Sequence, residues 1–292
     1  MLQVGCFFYI YNMIRDKKLI VVTPAGRKRY MELLQHFIIN NPLVDEWHIW
    51  QHTNDTSDIA YFNTLKSQFK KVKIIAIKET FERNKIYKFA KFCMDKNTVY
   101  IRLDDDIVWM SDNSLEKLAL YRLDHEFPFI IYGNIINNSI CDFIHQKTGA
   151  FTCDQSVGYL CMDDVGWKDP HVAEKKHLNF FKKYYDNTIH DYMFQKWSLT
   201  GFERCSVNVI CWTGELFQTF NGQVGQDEEH WLAVEAPMKY GRYNEICGQT
   251  LFCHFSFYTQ RGYLDSTNIL SKYRKIIDPR GLMFTKKCKI FF

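Results

Sequence analysis

The sequence predicts an α/β fold with a mainly parallel central sheet flanked by helices. Short apolar runs such as "KLIVVT" (18–23) and "VKIIAI" (72–77) alternate with segments of helical spacing such as "RKRYMELLQHFIINN" (27–41). This alternation is typical of βαβ units, whose strands run parallel. At 292 residues and 47% hydrophobic composition, the chain can also bury the large core that such a sheet needs.

Each element is assigned from its own pattern. Buried-strand patterns cover 18–23, 46–51, 72–77 and 98–103, and helical patterns between them cover 27–41, 59–69 and 85–94. The second half predicts helices at 113–123 and 172–185, strands at 128–136, 207–212 and 250–257, and a long connection over 137–170. Because the composition does not shift sharply, we expect one domain over 1–292 with two functional halves, 18–110 and 111–292.

Composition narrows the function and the compartment. A net charge of +4 suits a small anionic ligand but is too weak to favour nucleic acid. The ten cysteines form no CxxC pair, which indicates reduced, buried thiols and a cytoplasmic protein. The apolar segment "VGCFFYIYNMI" (4–14) is too short to cross a bilayer, so we expect no transmembrane segment, and either an extra strand or weak docking to a membrane surface. The sequons at Asn54 and Asn137 are expected by chance.

Three adjacent carboxylates, Asp104, Asp105 and Asp106, follow the fourth strand in "VYIRLDDDIVWM" (99–110). Unpaired neighbouring charges are costly, so a cation is expected beside them. If the triplet continues the strand, Asp104 and Asp106 share a face and can ligate Mg²⁺ or Mn²⁺, while Asp105 points away. The alternative is a solvated acidic turn before a helix capped by Asp112 or Asn113.

The triplet, preceded by "KIYKFAKFCMDKNTVYIRL", resembles the DxD motif of nucleotide-sugar glycosyltransferases of the GT-A fold. The stretch "VGQDEEHWLAVEAPMKYGRYNEICGQTLFCHFSFYTQR" resembles family members with an acidic pair before a helix and a later "HF.F" strand. These include enzymes of large DNA viruses of algae that build capsid glycans. The resemblance spans roughly 18–262, with specific motifs only at 99–109 and 225–261.

The resemblance implies a metal-dependent transfer of sugar from a nucleotide-sugar, most simply a UDP-sugar, to a hydroxyl of a glycan or glycoprotein, with inversion. It implies that Asp104 contacts the ribose and the metal, that Asp106 ligates the metal, and that His254 completes the ligand set. An imidazole ligand favours Mn²⁺ over Mg²⁺. A viral protein of this family would work in the host cytosol.

Donor-binding residues are expected at the ends of the first strands. The first loop offers Thr23, Ala25 and, at the start of a helix where phosphate is favoured, Arg27. Further candidates are Asn54 after the second strand, Arg83 and Lys85 before the third helix, and Asp104 and Asp105 of the triplet. An ordinary cation at a helix start is the competing account of the basic residues.

Sugar transfer also needs a base for the acceptor hydroxyl. "GQDEEHW" (225–231) resembles the acidic pair that contains this base, although Asp-Glu replaces the commoner Glu-Asp order. Asp227 is the first candidate and Glu228 the second, with Glu229 adjacent; acids that merely complement a helix dipole are the alternative. Trp212, Glu215 and Trp231 are candidates for an acceptor platform, with core packing as the other reading of the tryptophans.

Two rival functions stay open. "RLDDDIV" also fits the nucleophile motif of haloacid-dehalogenase-like Mg²⁺-dependent phosphatases, with Asp104 as nucleophile, Asp106 as acid/base and Asp163–Asp164 as the later metal pair. That motif normally opens its domain, whereas three βα units precede it here. A non-catalytic carbohydrate-binding protein would explain the aromatic content but not the triplet.

Overall fold

A computed structural model describes residues 14–77 and 85–280 as a mixed α/β structure, which confirms the predicted class. The strands are β1 (Lys18–Ala25), β2 (Glu46–Gln51), β3 (Val72–Ala76), β4 (Thr98–Leu103), β5 (Ile107–Met110), β6 (Ile131–Ile136), β7 (Lys196–Leu199), β8 (Val209–Thr213) and β9 (Asn244–His254). The α-helices are α1 (Lys28–Ile39), α2 (Thr56–Gln68), α3 (Ser114–Asp124), α4 (Ser139–Lys147), α5 (Pro170–Tyr185), α6 (Gly214–Gln218), α7 (Glu228–His230), α8 (Ala236–Tyr240), α9 (Tyr258–Ser266) and α10 (Ile269–Ile277). Short 3₁₀ helices cover Ile86–Phe92 and Ile189–Tyr192, and π-helical turns cover Asp164–Lys168 and Trp231–Glu235.

The described strands form one sheet in the order β3-β2-β1-β4-β8-β6-β9-β5, with β7 also paired to β9. The first four strands in this order are parallel, and β6 and β9 are parallel to each other. β8 lies antiparallel between β4 and β6. Because β8 is antiparallel to both β4 and β6, β6 and β9 run in the same direction as β4. The strands β1, β2, β4, β6 and β9 therefore all end at the same edge of the sheet, here called the C-terminal edge.

Burial explains why the strand patterns were readable. All six residues of β4 and of β6 are buried, as expected for strands covered by helices on both faces. The four strands of the first third lie where they were predicted. The expected helix at 85–94 is instead a 3₁₀ helix, and the supposed long connection over 137–170 contains α4, whose first turn is capped by Asn138 accepting from the amide of Cys141 at 3.3 Å.

Two further expectations can be compared with the described residues. The eight described cysteines are free, and all but Cys153 are buried, in agreement with the reduced thiols expected from the sequence. In the described part of the chain, no helix has the length and apolarity that crossing a bilayer requires. Most of the apolar segment 4–14 lies outside the described residues, as does Arg83.

Candidate functional site

The acidic triplet forms a turn between β4 and β5 rather than an extension of β4. The amide of Ile107 donates to the carbonyl of Asp104 at 3.1 Å, closing a four-residue turn. The alternation of strand side chains therefore does not apply to these three residues. Each carboxylate takes a direction of its own, and each contacts an arginine.

Asp105 faces the loop after β1 and is buried. Its carboxylate accepts from the amide of Gly26 at 2.9 Å and from Nε of Arg27 at 2.9 Å. Next to it, the amide of Lys28 donates to Asp58 at 2.9 Å. Two of the amides around the start of α1, where the sequence suggested phosphate, are thus already bound by carboxylates of the protein.

Asp106 is the most enclosed acid of the triplet, with 1% of its surface exposed. Its Oδ2 lies 2.9 Å from a guanidinium nitrogen of Arg27 and 3.5 Å from one of Arg261, and its Oδ1 lies 3.4 Å from Nε2 of His254. Burial alone would raise the pKa of Asp106, but these cationic neighbours outweigh it and hold that pKa well below its usual range. Within the described residues Oδ1 has no hydrogen-bond partner, which is unusual for a buried carboxylate oxygen.

His254, at the end of β9, faces this unpartnered oxygen. Its Nδ1 lies 2.9 Å from the carbonyl oxygen of Asn137, and because a carbonyl can only accept, Nδ1 carries a proton. In the neutral ring, Nε2 then holds a lone pair on the side of Asp106. Burial lowers the pKa of His254, but the neighbouring Asp106 carboxylate more than compensates and raises it.

These contacts bear on whether a divalent ion fits. An unpartnered carboxylate oxygen beside an imidazole lone pair is a ligand pair suited to Mn²⁺ or Mg²⁺. Across residues 14–77 and 85–280, no three His, Cys, Asp or Glu side chains are grouped to hold a metal. Asp106 and His254 could therefore supply two ligands of an ion, and Asp104 lies outside that pair.

Asp104 belongs to a second cluster, centred on the buried guanidinium of Arg102. Asp104 accepts from Nε of Arg102 at 3.1 Å and from the amide side chain of Asn208 at 3.1 Å. On its other side, Arg102 forms an ion pair with Glu228 at 2.6 Å. Burial opposes the charge of Arg102, yet the two carboxylates raise its pKa. Arg102 thus connects the triplet to the acidic segment 227–229.

The other two acids of that segment contact Arg204 instead. Two nitrogens of Arg204 bind Asp227 at 2.9 and 3.1 Å, and its Nε binds Glu229 at 2.7 Å. The side chain of Asp227 is 55% exposed, against 12% for Glu228. Although partial burial raises the pKa of Asp227, the His230 amide and Arg204 lower it overall. Asp227 also accepts from that amide as the cap of α7.

A cavity of about 460 Å³ opens at the C-terminal edge, beside the start of α1. Its lining includes Arg27, Lys28 and Arg29 from α1 and its preceding loop, and Thr53 and Asp55 from the loop after β2. Asn54 is exposed in that loop. The position fits a nucleotide at the strand ends.

Other predicted donor residues lie away from this cavity wall. Thr23 is fully buried and accepts from the indole of Trp47 at 3.0 Å, so its side chain belongs to the core, and Ala25 is buried as well. Lys85 directly precedes the 3₁₀ helix and is half-buried.

The three predicted acceptor residues are not brought together. Trp212 is 1% exposed and stacks between Tyr100 and Phe217, so it is a core residue and has no open face for a sugar. Glu215 is exposed beyond the end of β8 that pairs with the start of β4, opposite the C-terminal edge. Trp231 is half-buried against Phe220.

The sequence analysis named Arg27 but missed three other arginines that neutralise the acids, Arg102, Arg204 and Arg261. Arg102 is a charged residue inside an otherwise apolar strand pattern, and this was the one feature of the sequence that could have indicated its role. Arg204 lies in a segment with no motif, and Arg261 is the last residue of the quoted stretch 224–261 but was given no role there, so only the fold brings them to the acids.

The residues needed by the phosphatase alternative have other partners. Asp163 accepts from the amides of Val165 and Gly166 at 3.0 and 2.6 Å, which makes it the cap of a π-helical turn. Asp164 is exposed and lies 3.4 Å from Lys168. Asp104, the required nucleophile, is held by Arg102 and Asn208.

No protein-family model matches the sequence, and no curated protein matches it. Solved structures match over most of the chain. They include S. aureus TarS 1-349 (TM-score 0.46, 11% identity, 90% of this chain and 64% of that one) and 4-diphosphocytidyl-2C-methyl-D-erythritol synthase from Anaerococcus prevotii (0.47, 10%, 88% and 99%). A CMP:2-keto-3-deoxy-manno-octonic acid synthetase complexed with CTP matches with a TM-score of 0.42 and 12% identity over 81% of this chain and 90% of its own. The chain spans less than two thirds of the TarS fragment, and similarities at these TM-scores transfer no donor, metal or acceptor to it.

Proposed function

We propose that this protein is a metal-dependent glycosyltransferase that moves a sugar from a nucleotide-sugar, most simply a UDP-sugar, to a hydroxyl of a glycan acceptor, with inversion. The observation that carries the proposal is the buried Oδ1 of Asp106, which faces His254 at the C-terminal edge and has no hydrogen-bond partner among the described residues. Arginines on the same carboxylate supply the positive charge that a nucleotide diphosphate would need. The viral, glycan-building context is an expectation from the sequence resemblance.

Different residues of the site would bind the metal ion, the diphosphate and the nucleoside. Asp106 and His254 would hold Mn²⁺ or Mg²⁺. Arg27 and Arg261, which contact the Asp106 carboxylate, would pair with the diphosphate oxygens. When bound, the ion neutralises charge on the departing diphosphate. The cavity beside α1 would take the nucleoside.

The transfer step needs a base on the acceptor side. The acceptor oxygen forms a bond to the anomeric carbon, the bond from that carbon to the diphosphate oxygen breaks with its electron pair, and the hydroxyl proton passes to a carboxylate. We favour Glu228 for this role, because its contact with Arg102 ties it to the triplet, whereas Asp227 lies on the exposed Arg204. Arg102 would then hold the Glu228 carboxylate in place for the acceptor.

The test is a transfer and hydrolysis assay on a panel of UDP-sugars with Mn²⁺, with Mg²⁺ and with EDTA. We expect turnover with at least one donor, its loss in EDTA and in Asp106→Asn, and normal turnover in Asp112→Asn, an exposed acid that follows the other end of β5, away from His254. Turnover that is unchanged by EDTA would refute metal dependence. Phosphatase activity that is lost in Asp104→Asn would replace the proposal by its rival.

A further inference from the structure

We infer that Asn137 is the positioning residue of His254: its backbone carbonyl fixes the proton of the imidazole on Nδ1 and so keeps the lone pair of Nε2 toward Asp106. The inference deepens the metal site proposed above. In metal proteins, the group that accepts from the second ring nitrogen of a histidine sets which nitrogen can bind the metal. No sequence motif indicates this role for Asn137. The residue belongs to a glycosylation sequon, but its complete burial leaves it inaccessible to a glycan.

The backbone of Asn137 is unusual. It directly follows β6 at the C-terminal edge and adopts a left-handed conformation, with φ of 65°. Asparagine tolerates this region better than most residues, but the conformation still has to be held by its surroundings. It places the carbonyl oxygen 2.9 Å from Nδ1 of His254.

The other polar groups of Asn137 are all engaged. The side-chain nitrogen donates to the carbonyl of Phe255 at 3.1 Å and to Oε1 of Gln260 at 2.9 Å. The backbone amide donates to Asp142 at 3.1 Å. These contacts fix the residue to α4, to α9 and to the segment that follows His254, so the carbonyl direction does not depend on a bound ligand.

A buried ion pair completes the support. Lys176 of α5 lies 2.7 Å from Asp142 and donates to the carbonyl of Gly166 at 2.7 Å and to Oδ1 of Asn137 at 3.3 Å. A buried lysine is retained only where acceptors surround it. Lys176 thereby connects the Asn137 side chain to Asp142 and Gly166, and buried polar networks of this kind restrict the movement of their members.

Without this support, the neutral imidazole could carry its proton on Nε2. That proton would point at Asp106, form a hydrogen bond with Oδ1, and remove both proposed ligands from a metal at once. The choice between the two tautomers therefore decides whether the pair can bind an ion.

The first test is ¹⁵N NMR of the histidine side chains in the full-length, metal-free protein, at a pH high enough for His254 to be neutral. The His254 signals are assigned by their loss in His254→Gln. We expect a protonated Nδ1 and an unprotonated Nε2 in the natural protein. In Asn137→Gly, which accepts the left-handed backbone but lacks the side-chain contacts, we expect a mixture of tautomers. Asn187→Gly is the matched control, since Asn187 has φ of 57° on the exposed surface.

The second test measures Mn²⁺ affinity from the free-ion electron paramagnetic resonance signal. We expect binding about 10–100-fold weaker in Asn137→Gly, the usual effect of losing an outer-shell partner, and unchanged binding in Asn187→Gly. A proton on Nε2 in the natural protein overturns the inference, and so does Asn137→Gly with both tautomer and affinity unchanged. If Nδ1 carries the proton but no Mn²⁺ binds, the positioning role stands and the proposed metal site fails.

Discussion

The buried pair of Lys176 and Asp142 gives the sharpest test of the network behind the site. Both residues are 1% exposed, and Nζ lies 2.7 Å from the carboxylate. Lys176→Met keeps most of the side-chain volume but leaves Asp142 with the Asn137 amide at 3.1 Å, His145 at 3.9 Å and the weaker electrostatic effect of His254. His145 cannot replace the lysine, because burial lowers its pKa to about 3 and leaves the ring neutral.

Removing one partner of a buried ion pair costs about 3–5 kcal/mol of unfolding free energy. The structure adds a pH dependence. Burial raises the pKa of Asp142 to about 6 from an ordinary 3.8, even though Lys176 opposes the shift. A carboxyl whose pKa is higher in the folded than in the unfolded protein stabilises the fold at a pH below both values. This contribution is lost as the pH rises through the pKa of the folded state, and here the loss is about 3 kcal/mol of unfolding free energy between roughly pH 4 and 7. Losing Lys176 raises this pKa further, so the deficit of the variant is largest at neutral pH and narrows on acidification.

The measurement is urea unfolding followed by tryptophan fluorescence and circular dichroism at pH 7 and pH 5. The neighbouring Lys175→Met is the matched control, since Lys175 is exposed, and it should change the unfolding free energy by less than about 0.5 kcal/mol. Adding Asp142→Asn to Lys176→Met should restore much of the loss, because no unpaired charge remains. A loss below about 1 kcal/mol at pH 7, or a deficit that grows at pH 5, would refute the reasoning.

Three further predictions concern the site and the core. Glu228→Gln should lower turnover by roughly 10²–10⁴-fold with little change in donor binding, as expected for a lost base, whereas Asp227→Asn should have a much smaller effect. If steady-state kinetics show the reverse order, Asp227 and not Glu228 is the base. Arg27→Lys keeps the charge but loses the planar fork, so we expect about tenfold weaker UDP binding by calorimetry, and equal affinity would remove Arg27 from the donor site. Trp212→Ala should cost about 3–5 kcal/mol in chemical unfolding, and a stable variant with a raised KM for acceptor would restore Trp212 as a platform.

The sequence predicted the part of the fold that depends on local pattern. Strands covered on both faces are apolar along most of their length, which made β1 and β4 readable, whereas the partly buried β2 and β3 were recognised from shorter apolar runs. The shared direction of these four strands placed Asp104–Asp106 at the C-terminal edge. α4 was missed because buried polar residues such as Asp142 and His145 interrupt its apolar pattern. Those residues are tolerated only because partners from distant segments satisfy them.

The sequence predicted which types of residue form the site, but not the directions in which their side chains point. The triplet was expected to keep the side-chain alternation of a strand, but a turn directs Asp104 to Arg102 and both Asp105 and Asp106 to Arg27. Trp212 illustrates the same limit, since an indole in a strand pattern suits a sugar platform and a core equally well until the neighbouring rings are known. The contact between His254 and Asn137 joins β9 to the end of β6, and no local pattern carries that information.

The central claim is that Asp106 and His254 form a metal-dependent site for a nucleotide diphosphate. The most direct measurement is calorimetric titration of the purified protein with UDP, first in EDTA and then with Mn²⁺, alongside Asp106→Asn and the control Asp112→Asn. We predict UDP binding only with Mn²⁺ in the natural protein and in Asp112→Asn, and none in Asp106→Asn. UDP binding of equal strength in EDTA, or in Asp106→Asn, would contradict the claim.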